Sequence, residues 1–385
     1  MTSVVVGGAI ANKYRNGGEA WVRLSWIRGL QRLGCDVGFA EQIDPAASVA
    51  EDGSQAPFEE SASRAYFDEV MEQFGLTGAS ALVLGNGEAT SGLRYEEVLT
   101  QAEEADLLVN ISGHLYDPEL LRRFPRKAYV DLDPGFTQFW HAQGNLGARL
   151  AGHDVYFTVG ENIGSRDCTI PTLGIDWRPL PPPVVLDDWP AGAPSPGPFT
   201  TVGAWRGAFG PVVQDGRTYG LKVHEFRKMI ELPRRVPQAD FEIALEIHPG
   251  DDKDRDALVA NRWRLTDPRV EAPGPLEFRA YVQRSGAEFS VAQGIYVETH
   301  SGWFSDRTVR YLASGKPALV QETGFRHNYP TGEGLLSFST LEEAAAGAAK
   351  IQSDYFRHSA AARRLAEEHF DSDRVLARFL EQSLG

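Results

Sequence analysis

The sequence predicts an α/β protein made of two Rossmann-like halves with a ligand cleft between them. Three observations carry this. Strand-like and helix-like runs alternate through the first half of the 385 residues. A proline-dense segment, "RPLPPPVVLDDWPAGAPSPGP" at 178–198, then breaks the alternation, and after it the alternation restarts. Proline cannot donate to a sheet ladder and stops helices, so this segment is the expected boundary. The expected domains are 1–185 and 186–385, each large enough for its own core, with the last helix folding back on the first domain.

The elements follow in order. "SVVVGG" at the start is a strand. "GGEAWVRLSWIRGLQRL" is a helix, with Val22, Trp26, Leu30 and Leu33 at helical spacing and Gly34 as its stop. "DVGFAE" is the next strand, which closes a βαβ unit and implies a parallel sheet. Residues 44–62 read as a loop, 63–75 and 92–104 as helices, and "DLLVNIS", "KAYVDLD" and "DVYFTVG" as buried strands. In the second half, "FTTVGAW", "DFEIALEI", "GIYVET" and "ALVQE" read as strands. "KVHEFRKMIEL", "LEFRAYVQRS", "TLEEAAAGAAKI" and the closing "SAAARRLAEEHFDSDRVLARFLEQSL" read as helical.

Composition narrows the function classes. A net charge of −15 argues against non-specific nucleic-acid binding and against adhesion to anionic lipid, but leaves room for an anionic ligand in a local basic pocket. No apolar run reaches the length of a membrane helix, and the start reads as a strand and not a signal peptide. Two cysteines, Cys35 and Cys168, make no disulfide framework, so a reducing cytoplasm is expected.

The stretch "YVETHSGWFSDRTVRYLASGKPALVQETGF" at 296–325 carries the first candidate site. Ser305 is a good N-cap for a short helix whose buried face is Val309, Leu312 and Ala313, and Gly315 and Pro317 end it. With a strand before it, the helix start falls at the carboxyl edge of the sheet, where free N–H groups form an anion site. Arg307 in the first turn opposes the helix dipole. Two readings stand: it faces a bound phosphate, or it pairs with a carboxylate such as Asp306 or Glu322. In "TVGAWRG…DGRTYGLK", Arg206 and Lys222 stand on the same expected edge, either as a diphosphate clamp or as surface cations. Gly7 and Gly8, with Gly17 and Gly18, permit close approach to a ligand or simply make turns. There is no G-x-G-x-x-G.

Four further features end strands. His114, with Asp117 near it, is either a general base or a hydrogen-bonded loop residue. Asp131 and Asp133 are a candidate base or acceptor contact, a turn before Pro134 or, less in keeping with their place, metal ligands. Phe136, Phe139 and Trp140, with Gln138, offer an acceptor wall. His248 before Pro249 contacts a nucleotide or shapes a turn.

In this order the motifs resemble those of the GT-B glycosyltransferases across nearly the whole chain. "NGGEAWVRLSWIRGLQRLGCDVGFAE" is similar to their opening loop, helix and strand; "VGAWRG…GLK" resembles their diphosphate contacts; "VRYLASGKPALVQETGF" resembles the helix and strand beside the donor; and "VNISGHL" resembles the loop ending in a His near the reaction centre. The resemblance implies a metal-independent glycosyltransferase with no cofactor beyond a nucleoside-diphosphate sugar. It implies a donor site of Gly7, Gly8, Arg206, Lys222, His248, Ser305, Asp306, Arg307, Glu322, Thr323 and Gly324. It implies catalytic His114, Asp131 or Asp133, and a small acceptor on Phe136, Gln138 and Trp140, in keeping with natural-product biosynthesis. One departure stands out. Retaining members carry an E-x7-E motif, and here Gly302 and Arg310 occupy those places, leaving Glu298 and Glu322 as substitutes. A GT-B-like nucleotide-sugar epimerase or hydrolase, and a non-catalytic nucleotide-sugar-binding protein, are the alternatives.

Overall fold

Val4, Val5 and Val6 are buried on both faces of the first strand, β1 (Ser3–Gly7). An unbroken apolar run of this kind builds a central parallel strand. The first half continues as α1 (Gly17–Arg32), β2 (Asp36–Ile43), α2 (Ala62–Gln73), β3 (Ser80–Leu84), β4 (Ala89–Gly92), α3 (Tyr95–Glu104), β5 (Leu107–Ile111), α4 (Pro118–Arg123), β6 (Lys127–Asp131), α5 (Phe136–Ala142), β7 (Val155–Thr158) and β8 (Trp177–Pro179). Its sheet runs β4-β3-β2-β1-β5-β6-β7-β8, parallel except for the β3–β4 pair. The structure is a computed structural model that describes residues 1–207 and 209–385.

The second half opens with β9 (Phe199–Ala204) and a two-stranded hairpin, β10 (Val212–Gln214) and β11 (Arg217–Tyr219). Next come α6 (Lys222–Lys228), α7 (Leu232–Arg235), β12 (Phe241–Glu246), α8 (Asp252–Ala260), β13 (Arg264–Thr266), α9 (Pro268–Glu271) and α10 (Pro275–Arg284). The chain closes with β14 (Ala287–Ser290), α11 (Gly294–Glu298), α12 (Asp306–Ala313), β15 (Ala318–Gln321), β16 (Leu335–Phe338), α13 (Leu341–Ser353), α14 (Tyr355–His369) and α15 (Ser372–Leu384). The second sheet runs β13-β12-β9-β14-β15-β16, all parallel.

One expected strand is a helix. "GIYVET" forms α11, and the strand of that unit is the preceding "AEFS" of β14. A short apolar run does not distinguish strand from helix by period alone. Here β14 already fills the place between β9 and β15, while Ile295 and Tyr296 bury into an aromatic cluster beside α5. The strands "SALVL" and "ATSG" of β3 and β4 were not among those expected.

The halves are joined by more than a linker. Leu180, Val184, Val185 and Trp189 of the proline-rich segment are buried, with Trp189 packed between Trp21 of α1 and Phe278 of α10. Gly17 donates its N–H to Ala272 O at 3.1 Å, and a Cβ on Gly17 would sit 1.9 Å from Gly274 O. That backbone-to-backbone approach requires glycine. Asn162 donates its side-chain amide to His300 O and Gly324 O at 3.0 and 3.1 Å. Finally, α15 returns to the first half: Phe379 meets Trp26 edge-on at 4.8 Å, and Arg126 Nε donates to Ser383 O at 2.9 Å.

Candidate functional site

Each sheet reverses its strand order once, between β1 and β5 and between β9 and β14. In open α/β sheets the crevice outside the carboxyl ends at such a reversal holds the ligand. In this chain one cleft of about 520 Å³ lies between the turn that follows β1 and the carboxyl end of β9. Lys13, Arg15 and Glu19 line it from the first half, and Gly203, Lys222, Arg269, Asp306 and Arg307 from the second.

The second-half wall is built on α12 and α6. Ser305 caps α12 through its hydroxyl, which accepts the Arg307 N–H at 3.2 Å, and Asp306 opens the helix. Lys222 opens α6, where its backbone N–H donates to Gln293 Oε1 at 2.6 Å. Loss of water and then the repulsion of Arg307 bring the Lys222 ammonium down to about 8, against the pull of Glu288 and Asp306. A cation held at this cost is poised for an anion.

Arg307 corrects the expectation placed on it. Its Nε donates to Glu288 Oε1 at 2.7 Å, Nη1 to Val202 O at 3.0 Å and Nη2 to Ser290 Oγ at 2.7 Å. Three of its five N–H donors are therefore taken by the protein, and the partner is Glu288, not Asp306 or Glu322. These bonds tie β9 to β14, while its charge and the two remaining donors border the cleft.

Other predicted contacts are not brought here. Arg206 is 61% exposed and forms an ion pair with Asp251; with the exposed His248 it lines an adjoining recess of about 810 Å³ at the ends of β9, β12 and β13, which shares Ala204, Gly207, Glu246 and Arg269 with the cleft. His248 Nδ1 accepts the Gly250 N–H, which is turn geometry. Glu322 accepts the Gly324 N–H at 2.7 Å and pairs with Arg326, while Thr323 donates to Trp303 O. Thr323 and Gly324 are buried, and Gly324 lies against Asn162, so neither is free to meet a ligand. Gly7 and Gly8 are packing glycines: a Cβ on Gly8 would sit 2.7 Å from Arg23 Cγ.

The expected acceptor wall is also reassigned. Phe136 and Trp140 pack on Phe209, Phe139 stacks on Tyr219 at 5.2 Å, and Gln143 donates to Val213 O. These aromatics seat the second-half hairpin on α5. Gln138 is buried and donates to Asp131 Oδ2. Asp131 also accepts from Thr137, Thr158 and the Asp133 N–H, and with four donors it is a structural anchor. Asp133 differs. It is half-buried and accepts from Tyr296 of α11 at 3.1 Å; burial, then Asp131 and Glu19, push its carboxyl up to about 6. His114 is half-buried after β5, and burial together with Arg23, Lys13 and Arg149 holds it well below the usual imidazole range. It is neutral at neutral pH.

Several residues escaped the sequence reading: Lys13, Glu19, Arg23, Glu41 and Tyr296. Glu41 is fully buried in β2, and its carboxylate accepts the N–H groups of Ile10, Ala11 and Asn12 at 2.7 to 2.8 Å. It thereby fixes the turn that brings Lys13 to the cleft. An acid inside the apolar run "VGFAEQI" was the available signal.

No protein-family model and no curated protein sequence matches the chain. Solved structures do. An alpha-glucosyltransferase in complex with UDP and a 13-mer DNA superposes with a TM-score of 0.61 at 12% identity, covering 100% of both chains. Anabaena HepE in complex with UDP and glucose gives 0.60 at 12% identity, over 99% of this chain and 100% of that one. Sucrose-phosphate synthase from Thermosynechococcus elongatus gives 0.57 at 12%, over 99% and 98%. The chain has the GT-B fold.

The GT-B fold expected from the ordered motifs is thus present end to end. Within it, the departure at the E-x7-E places has a physical cause. Gly302 sits at φ 74°, and a Cβ there would lie 2.7 Å from Asn162 Cγ, so no glutamate fits. Arg310 is buried, paired with Asp306 and placed 5.9 Å over the Trp189 ring. Of the two substitutes, Glu298 pairs with Arg217, and Glu322 accepts the Gly324 N–H through Oε1 while its buried Oε2 has no hydrogen-bond partner. Among the described residues no cluster of three potential metal ligands occurs, and no helix is long and apolar enough to cross a membrane.

Proposed function

We propose that this protein is a glycosyltransferase that moves a sugar from a nucleoside-diphosphate sugar to a small hydroxyl acceptor. The observation that carries the reading is the convergence of Lys222 and the capped start of α12 on one cleft, opposite the Lys13 turn. That set of unshared positive ends suits a diphosphate whose charge grows as it leaves. The GT-B fold and the UDP in the structures of the neighbours support the same donor class.

In this reading the donor lies on residues 186–385 and the acceptor on residues 1–185. The acceptor oxygen forms a bond to the anomeric carbon, the bond from that carbon to the diphosphate breaks, and the bonding pair leaves with the diphosphate. Asp133 is the favoured proton acceptor, because Asp131 is fully engaged and neutral His114 is a weaker base. The cations supply the leaving-group stabilisation, so neither a metal nor a cofactor beyond the donor enters the scheme. The net charge of −15 speaks for a small acceptor over DNA, and secondary metabolism inside the cell is the setting that suits such a product.

The test is calorimetric titration with UDP and other nucleoside diphosphates, followed by an assay for diphosphate release from the matching nucleotide sugar with and without EDTA. Absence of nucleoside-diphosphate binding removes the proposal. Activity abolished by EDTA removes its metal-free form.

A further inference from the structure

The short helix α11 touches both halves of the protein. On the second-half side, Gln293, the residue before its first turn, accepts the Lys222 backbone N–H through Oε1 at 2.6 Å. The amide end of Gln293 lies against the turn after β9, where a Cβ on Gly207 would sit 2.6 Å from Nε2. Gly294 packs on the loop before α6: a Cβ there would sit 2.7 Å from Gly220 O. Glu298 Oε1 accepts the Gly220 N–H at 3.3 Å, and Ala292 donates its N–H to Gln321 Oε1 of β15 at 3.1 Å. The helix is thus braced against Gly207 and Lys222, which both line the cleft.

One turn on, the same helix reaches the first half. The Tyr296 hydroxyl donates to Asp133 Oδ1 at 3.1 Å. The Tyr296 ring is buried, stacked on Trp303 at 4.7 Å and edge-on to Phe136 at 6.0 Å, so the hydroxyl has little freedom. Ile295 closes on the loop beyond Asp133, where a Cβ on Gly135 would sit 3.0 Å from Ile295 Cδ1. Three residues therefore separate the contact to Lys222 from the contact to Asp133.

The two carboxylates at the end of β6 are held differently. Asp131 accepts from four donors of its own half, which fixes the loop without help. Among the described residues the Asp133 carboxylate accepts one hydrogen bond, and its donor comes from the other half. Burial, then Asp131 and Glu19, raise the Asp133 carboxyl; the Tyr296 hydroxyl and then Lys13 oppose them by favouring the ionised form.

We propose that α11 sets the proton acceptor against the leaving group: Tyr296 is a positioning residue for Asp133, and Gln293 is one for Lys222. This rests on the glycosyl-transfer reading, with Asp133 as the proton acceptor, and deepens it. Asp133 belongs to the first half and Lys222 to the second, so their separation changes whenever the halves move. One rigid turn that grips both restores it each time the halves meet, which is the orientation that transfer between two bound substrates requires.

The test compares Tyr296→Phe and Gln293→Leu in three readouts: melting temperature against pH, UDP affinity, and release of UDP from UDP-glucose. Tyr296→Phe keeps the ring stack and loses the hydroxyl. Its melting temperature should fall below the parent's by more near pH 8 than near pH 5, because the bond to the ionised carboxyl is the one lost, and in an Asp133→Asn background that difference should no longer depend on pH. Its kcat should drop about tenfold or more, its acid limb should move up by about one pH unit, and its UDP affinity should stay within about threefold of the parent's. Gln293→Leu should show the opposite split, with UDP affinity down about tenfold and the acid limb in place. Gln293→Glu, which keeps an oxygen on the Lys222 N–H, should return most of that affinity. If Gln293→Leu does not fold, Gln293→Asn, one methylene too short for the same contact, takes its place with the same expected loss. A Tyr296→Phe protein whose melting deficit is equal at both pH values, or whose kcat and acid limb match the parent's, overturns the proposal, as does parent-like UDP affinity without the Gln293 oxygen. If UDP fails to bind the parent, the transfer reading falls on its own, and the melting comparison still decides the tie between Tyr296 and Asp133.

Discussion

Lys222→Met should weaken nucleoside-diphosphate binding sharply, and the loss should depend on pH. Lys222 is held in the cleft at about 8 by loss of water and by Arg307. A unit charge about 4 Å from a phosphate oxygen is worth about 4 kcal/mol at an effective dielectric of 20. Charge-assisted hydrogen bonds measured by mutation return about 1.5–3 kcal/mol, so a loss of roughly ten- to a hundredfold in affinity is expected. The sign follows from the charged form being the one that binds. Near pH 7 the amine is mostly protonated; near pH 9 about a tenth of it is, so affinity should fall roughly tenfold over that interval. Bound diphosphate raises the amine, so binding takes up a proton on the alkaline side. Calorimetry in two buffers of different ionisation enthalpy reads both the affinity and the proton. Lys222→Arg should keep the affinity and lose the pH dependence. A Lys222→Met protein that binds UDP as tightly as the parent, or a Lys222→Arg protein with the same alkaline fall, would refute the reasoning.

Arg206→Ala should change UDP affinity less than threefold, because that side chain is exposed and committed to Asp251. Asp133→Asn should cut kcat at least a hundredfold with little change in melting temperature, whereas Asp131→Asn should destabilise the fold by about 2 kcal/mol through its four lost or mismatched donors. If Asp133 is the base, kcat/KM should rise with pH through about 6, the value to which burial lifts its carboxyl, and the acid limb should vanish in Asp133→Asn. Glu41→Gln puts an amide N–H against backbone N–H groups at Ile10 to Asn12; urea unfolding should show a loss of about 2–3 kcal/mol, and UDP affinity should fall as the Lys13 turn loosens. Gly17→Ala drives a methyl to 1.9 Å from Gly274 O, so small-angle scattering should report a larger radius for that variant than for the parent.

The alternation of strand and helix was legible because buried parallel strands and amphipathic helices write their periods into the chain. "GIYVET" was not, since six residues of mixed apolar character fit either period and only the neighbouring strands decide. The helix starts at Lys222 and at Ser305–Asp306 were legible because helix starts after glycine- or serine-rich loops have a fixed geometry, and Lys222 and Asp306 do line one cleft. Arg307 was half legible. Its conflict with the helix dipole is visible in sequence, but Glu288 lies 19 residues away on β14 and no local pattern points to it. Phe136 and Trp140 looked like a ligand wall because an aromatic cluster near a strand end serves a substrate or another part of the protein equally well; the hairpin that claims them lies some seventy residues on. Lys13 was invisible for the same reason, and Glu41 showed only as an acid in an apolar run, because their meaning arises when the turn folds over β2.

The return of α15 to the first half bears on how the protein can be cut. Val184 pairs with Asp371, and Trp26 and Phe157 both pack on Phe379. A fragment ending near residue 185 would bare that groove, and a fragment beginning there would carry a loose amphipathic tail. The two pieces are therefore a natural pair for complementation: co-expressed, they can reassemble through α15 without a peptide bond between them. A new chain start placed in the exposed stretch 191–197, with the old ends joined, is the permutation that spares every one of these contacts.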